Sequence, residues 1–366
     1  MRSIDGTLLD GDADGNAGGA WVSDFATVSR AIIPNTTITG FVVGPGADLK
    51  PMTYDDFRAG PDGAVHTADD VFLEKLAGVK VFILGMEDKA VYTDAEGRFT
   101  LTEVPTGTVK VAVDGRTATN APEGVFFPEM VMDLTIRPGQ ENTLMGSMGS
   151  RQEQLENADR GEVYLPRLSE SILVEIASDS PTLVTTPADG ATDLTAEQRE
   201  LISLVVQPNS LIGEDGQPVE NAKVGVTTVP PELVRDMLPA GLMEHTFDLT
   251  IQAPGGAVFD TPVQMTLPNV FNAAPGTKLN ILSFDHTTGR LVIDGTGTVS
   301  ADGLSVTTDP DSGITRPGWH GMTPPGSPAS GPDAPPPLRH VKRILLMIDL
   351  NFGANSSLIF PNVPQS

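Results

Sequence analysis

Short runs in which apolar and polar residues alternate, each cut off by glycine or proline, recur along most of this 366-residue chain. In "GRFTLT", Phe99 and Leu101 point one way and Thr100 and Thr102 the other, the two-residue period of a half-buried strand. Val109, Val111 and Val113 repeat the pattern after the turn "VPTG". The turn "DAEG" places Gly97 where a hairpin closes with positive φ, which glycine adopts without steric cost. The 38 Gly and 31 Pro fall between such runs, as in all-β domains with many turns. With only 5% aromatic residues, the cores should be mostly aliphatic. The expected fold is all-β: tandem antiparallel β-sandwiches of Ig-like or prealbumin-like form, with one short connector helix.

The pattern divides the chain. Residues 1–36 hold an acidic loop and one strand in which Trp21, Phe25 and Val28 are interspersed with polar residues. One strand cannot fold alone, so it either closes another domain or is the remnant of one lost at the amino end. Residues 37–148 read as a first sandwich, interrupted by the acidic loop "GPDGAVHTADD". Residues 149–180 read as a connector whose helix is capped by Ser150 and Glu153 and stopped by Gly161. Residues 181–322 carry strand-like runs from "LISLVVQ" to "LSVTTD" at short intervals, a second sandwich. Residues 323–337 form an extended proline-rich linker. Residues 338–366 form an apolar tail, expected to add a strand to this chain or to a neighbour.

The formal net charge of −25 repels phosphate backbones and anionic lipid, which argues against nucleic acid as a partner. Such a charge suits a salty exterior where divalent cations neutralise carboxylates. The absence of cysteine rules out disulfide stapling and thiolate catalysis. No apolar run reaches membrane-spanning length, and nothing near Met1 resembles a signal peptide's apolar segment. The chain reads either as cytosolic or, the preferred expectation, as a piece of a longer exported bacterial protein at the cell surface.

Chemistry-bearing motifs are few. In "LLDGDADGNAGG", Asp10, Asp12, Asp14, Gly15 and Asn16 occupy positions one, three, five, six and seven of a calcium loop. Alternating carboxylates can converge on one hard cation, and the glycine permits the sharp bend. Trp21 stands where a bidentate glutamate is expected, so a calcium ion would need Asp24 or water to complete its shell. The competing reading is a plain Asp/Gly turn before a strand. The second acidic loop, with Asp55, Asp56, Asp62, Asp69 and Asp70, matches no standard ligand spacing and reads mainly as a solvated insertion. "SFDHTTG" places Ser283, Asp285 and His286 together, but on a strand His286 points away from the other two, and the stretch looks like a hairpin corner. His320 beside Trp319 reads as a packed aromatic corner, while His66, His245 and His340 are isolated, so no zinc triad is visible. No catalytic residue is expected.

Several of these stretches resemble modules of large exported bacterial proteins. "LLDGDADGNAGGAWVSDF" resembles the closing strand of S-layer-type Ig-like domains. "ITGFVV", "LAGVKVFI", "YTDAEGRFTL" and "VPTGTVKVAVDG" resemble a carboxypeptidase regulatory-like module, a prealbumin-type sandwich that is not the catalytic part of its enzymes. "YLPRL", "PNSLIGEDG", "FDLTIQAPGGAVFDTPVQMTLPN" and "RPGWHGMTPPG" are similar to the β-module that often precedes Rhs or YD repeats. The resemblance implies a non-enzymatic spacer or assembly module, joined to other domains of a surface protein or to copies of itself by strand exchange. Two other readings stay open: the amino-terminal plug of a YD-repeat carrier, and a glycan- or surface-binding module.

Overall fold

The computed structural model describes residues 31–51, 53–65, 69–144, 161–187, 194–234, 237, 249–310 and 312–325. The loop with Asp10, Asp12, Asp14 and Asn16, the strand around Trp21, the expected helix between Ser150 and Gly161, the linker beyond Pro325 and the apolar tail lie outside the described residues. So do His66, His245 and His340.

The described chain is almost entirely β-structure. Its first part runs β1 (Thr37–Val43), β2 (Phe57–Arg58), β3 (Val71–Phe72), β4 (Lys80–Ile83), β5 (Val91–Tyr92), β6 (Arg98–Leu101) and β7 (Gly107–Asp114). It continues with β8 (Val125–Phe126), β9 (Glu129–Ile136), β10 (Glu141–Thr143), β11 (Glu162–Tyr164) and β12 (Leu168–Ser169). The second part runs β13 (Val174–Glu175), β14 (Thr182–Thr185), β15 (Ser203–Val206), β16 (Leu211–Ile212), β17 (Lys223–Thr228) and β18 (Leu249–Gln252). It ends with β19 (Val258–Phe259), β20 (Gln264–Pro268), β21 (Lys278–Asp285), β22 (Arg290–Val299), β23 (Ser305–Thr308) and β24 (Gly318–Met322).

In the first body, the antiparallel sheet β5-β4-β7-β9 faces a second sheet built around β1. β6 pairs antiparallel with one edge of β1, while β10 and then β11 pair parallel with it. The N–H of Thr37 and of Phe41 donate to Gln140 and Gly161, and those of Leu144 and Leu165 donate back to Thr39 and Val43. All four bonds use odd-numbered residues of β1, so β10 and β11 lie end to end along a single edge. The expected connector therefore supplies strands to both bodies: β11 completes the first sandwich, and β13 pairs with β17 of the second.

Apart from a separate two-stranded pair, β16-β19, the second body is built on a ten-stranded sheet, ordered β13-β17-β18-β24-β21-β22-β23-β20-β15-β14. Strand twist and turns curl it around an aliphatic core that includes Val226, Ile251, Leu279, Ile281 and Met322. A single turn of helix, Ala196–Glu200, precedes β15; the Thr195 hydroxyl accepts from the N–H of Gln198, and the Gln198 side chain returns a bond to the N–H of Thr195. Leu201 and Ile202 then lead straight into β15.

Both faces of the sheet β5-β4-β7-β9 are buried at their centres. Val81, Val111, Val113, Met130 and Met132 line the face toward β1. The opposite face carries Phe82, Ala112 and Val131, equally buried, and these share one cluster with Leu282, Phe284 and Trp319 of the second body. The two bodies are thus packed through this outer face, and the turn between β21 and β22 sits directly on it. A Cβ added at Gly289 would lie 2.4 Å from Lys110, 3.1 Å from Val131 and 3.2 Å from Leu84. With φ at +61, Gly289 meets both a backbone and a steric demand that other residues fail.

Candidate functional site

Among the described residues, a connected set of serine, histidine and carboxylate side chains lies in and just beneath this junction. Successive residues of β21 and β24 point to opposite sides. Leu282, Phe284 and Trp319 face the first body, while Ser283 and His320 face the second body's own core. Ser283 and His320 are direct cross-strand neighbours, so their side chains meet on one face. The Ser283 hydroxyl lies 2.8 Å from His320 Nδ1 and donates to Asp294 Oδ2 at 2.7 Å.

Asp294 reaches this position through a β-bulge. Leu282 pairs with Ile293 and Ile281 with Gly295, so Asp294 has no partner across the ladder. The extra residue swings its carboxylate inward. Its oxygens also accept from the Thr315 N–H at 3.1 Å and the Thr315 hydroxyl at 2.8 Å.

Ser283 is 5% exposed and His320 1% exposed, so water does not reach either group freely. Burial pushes the His320 imidazole down to about 4; the charge of Asp294 opposes this and that of His286 adds to it. The backbone at Arg316 and Leu282 also opposes the shift, and His320 Nε2 has no hydrogen-bond partner.

On the other side of the sheet a polar rim closes the junction. Trp319 Nε1 donates to the carbonyl of Glu129 at 3.0 Å. The Glu129 carboxylate pairs with Arg116 of its own body and lies 3.2 Å from His286 Nδ1 of the other. Burial pushes the Glu129 carboxyl up, but the bond to His286 and the charges of His286, Arg116 and Lys80 outweigh it and hold the group below the usual range. Arg116 also grips Asp114 through two nitrogens, at 2.6 and 2.9 Å. Beside it an open cleft of about 690 Å³ is lined by Gly213, Glu214, Asp215, Glu220 and Gly255 of the second body. Its one cation, Arg116, is already engaged.

The structure does not assemble Ser283, Asp285 and His286 into one set. Asp285 caps the β21–β22 turn, accepting from the Thr287 N–H and the Thr288 hydroxyl, both at 3.0 Å, while His286 turns to Glu129. His320 is not at a corner; it lies in β24, between β18 and β21. Sequence reasoning missed Asp294 and the pairing of Ser283 with His320. Asp294 is followed by Gly295 inside a strand, a signal for a bulge, but the register that joins the three residues is not visible in a single sequence.

In the second acidic loop the carboxylates hold the chain itself. Asp55 accepts from the N–H groups of Ala47 and Asp48 and from the Thr53 hydroxyl, Asp56 from the Thr53 N–H, and Asp69 from the Asp62 N–H. Burial raises the Asp55 carboxyl, but these bonds together keep it below its ordinary value. Among the described residues no group of three or more His, Cys, Asp or Glu is placed to hold a metal ion. No described helix is long and apolar enough to cross a membrane.

No protein-family model matches this chain, and no curated protein does. Among solved structures it is similar to the full-length RrgB pilus protein from Streptococcus pneumoniae, at 11% identity and a TM-score of 0.21, covering 80% of this chain and 62% of that one. It is also similar to the Bacillus anthracis TIE protein, at 12% identity and a TM-score of 0.19, covering 78% and 48%. A third is a carbohydrate-binding protein, named as putative, from Bacteroides uniformis, at 9% identity and a TM-score of 0.18, covering 80% and 97%. The chain thus spans about three fifths of the first and half of the second. At TM-scores this low the likenesses say nothing about what this chain does.

Proposed function

We propose that this chain is a non-enzymatic structural segment of a larger exported bacterial surface protein, a spacer in which two sandwiches act as one stiff unit. The observation that carries the reading is the buried outer face of β5-β4-β7-β9, where Phe82, Ala112 and Val131 pack against Leu282, Phe284 and Trp319. A flexible tandem leaves such a face polar and wet. Here an apolar centre is ringed by Arg116, Glu129 and His286, the plan of a permanent interface.

The chemistry of the buried network supports the non-enzymatic part. In acyl-transfer triads the histidine stands between serine and acid, whereas here Ser283 stands between His320 and Asp294, shut away from substrate. The acidity of the chain supports an exterior setting, where divalent cations can neutralise carboxylates. In the same reading, calcium at Asp10, Asp12, Asp14 and Asn16 stiffens the amino-terminal junction, and the apolar tail pairs with a neighbouring domain or copy. Small-angle scattering at neutral pH tests the stiff unit. One fixed arrangement of the two bodies should reproduce the curve; a curve that demands a broad ensemble of arrangements would overturn the reading.

A further inference from the structure

Hydrogen counting fixes the state of the buried network. As a carboxylate, Asp294 only accepts, so the single Ser283 proton is committed to it at 2.7 Å. The 2.8 Å contact between Ser283 and His320 Nδ1 then requires the ring to donate, which makes His320 the Nδ1–H tautomer. Nε2 carries a bare, buried lone pair with no hydrogen-bond partner. An unpaired acceptor is tolerable there. A second ring proton is far less so: it would put a charge at Nε2, which makes no hydrogen bond in this arrangement, and burial outweighs the help that Asp294 and the backbone at Arg316 and Leu282 give to the charged ring.

The charged and titratable described groups around His320 give that proton little help. Asp294 comes from the β22 bulge and already accepts three hydrogen bonds, from Ser283 and Thr315; its charge favours the protonated ring but does not offset burial. His286 and Asp285 come from the β21–β22 turn, where Asp285 is held by its own turn and by Arg316 at 3.3 Å. Arg316, from the segment before β24, adds like charge. From the first body, Glu129, Arg116 and Lys80 lie across the sheet and pair among themselves or with His286. β18 contributes the apolar Leu249 directly opposite His320.

Trp319 is the next residue in β24. Its ring anchors the junction and its Nε1–H binds the Glu129 carbonyl. β24 therefore joins two facts: a buried imidazole with one unpartnered nitrogen, and a side chain that binds the first body across the junction. We propose that Ser283, His320 and Asp294 form an acid-sensitive catch: a second proton on His320 displaces β24, withdraws Trp319 and frees the two sandwiches from one another. In acid the stiff unit becomes two hinged bodies, each still folded.

The chain has no cysteine, so Thr102→Cys and Ala301→Cys, one exposed site on each body, give a clean pair for spin labels. The distance distribution in the full chain should be narrow at pH 7.5 and broaden between pH 6.5 and 4 while far-ultraviolet circular dichroism is retained. In the same background, His320→Asn keeps a donor toward Ser283 but cannot gain the second proton. Its midpoint should fall by at least one pH unit. A wild-type distribution that stays narrow down to pH 4, or an unmoved midpoint in His320→Asn, would overturn the proposal. Should that variant not fold, nitrogen-15 spectra of the wild-type histidines decide. The proposal expects the Nδ1–H tautomer at neutral pH and loss of that signal together with the distance change. A His320 ring that becomes doubly protonated while the distance stays narrow would refute it.

Discussion

The two faces of the sheet β5-β4-β7-β9 are both buried at their centres, yet they are built differently. The face toward β1 is aliphatic to its edges, with Val81, Val111, Val113, Met130 and Met132 and no charged group between them. The face toward the second body has an apolar centre of Phe82, Ala112 and Val131 inside a rim of Lys110, Asp114 and Glu129. The first is a fold core; the second is an interface that happens to lie within one chain. The difference predicts two kinds of failure, loss of the sandwich itself from one face and separation of intact sandwiches from the other.

The largest effect should come from Trp319→Ala, which removes a fully buried ring and its bond to Glu129. A loss of about 3–5 kcal/mol is expected, with the first body still unfolding cooperatively, now in a transition separate from that of the second. Leu101→Ala, on the inner core, should cost about 2–5 kcal/mol and abolish the first body's cooperative melt instead. Guanidinium titrations followed by circular dichroism check both, and a first body unaffected by Leu101→Ala would erase the distinction between the faces.

Acid should act next. His320 is pushed down to about 4 from an unfolded value near 6.5, so below about pH 6.5 the unfolded chain takes up a proton that the folded chain refuses. Stability is therefore full above that pH and falls as pH drops toward 4, by on the order of 3 kcal/mol. Glu129, held below its ordinary value, adds a loss of the same sign at still lower pH, as it is protonated through its folded value. Urea midpoints measured from pH 8 to 4 should decline across this window in the wild type and less steeply in His320→Asn.

Smaller effects sharpen the picture. Ser283→Ala strands the His320 Nδ1–H and should cost about 1–3 kcal/mol without moving the bodies apart at neutral pH. Glu129→Gln keeps the carbonyl that Trp319 uses but weakens the pairing with Arg116 and His286; about 1 kcal/mol is expected, read as a small shift in thermal midpoint.

Much of this was legible in the alternation alone. The runs around Val109, Leu204, Val226, Ile251, Met265, Ile281 and Val306 are all strands, because each carries its own period and its own turn residues. Pairing across long separations was not legible. Nothing local marks β1 as running parallel to β10 and β11, since register depends on where distant edges meet. The Met130-Val131-Met132 run, buried at three successive positions, did carry a signal that both faces of β9 were covered, yet not by what. The network of Ser283, Asp294 and His320 needed both a register and a bulge. Its members stand 11 and 26 residues apart along the chain, and only the fold brings them within hydrogen-bonding distance.

Scanning calorimetry of the full chain at pH 7.5, with and without Trp319→Ala, tests the joined pair most directly. The two sandwiches should melt in a single transition that splits in two when the tryptophan is removed. Two independent transitions already present in the unaltered chain would contradict a shared structural unit, as would an unsplit transition in the variant.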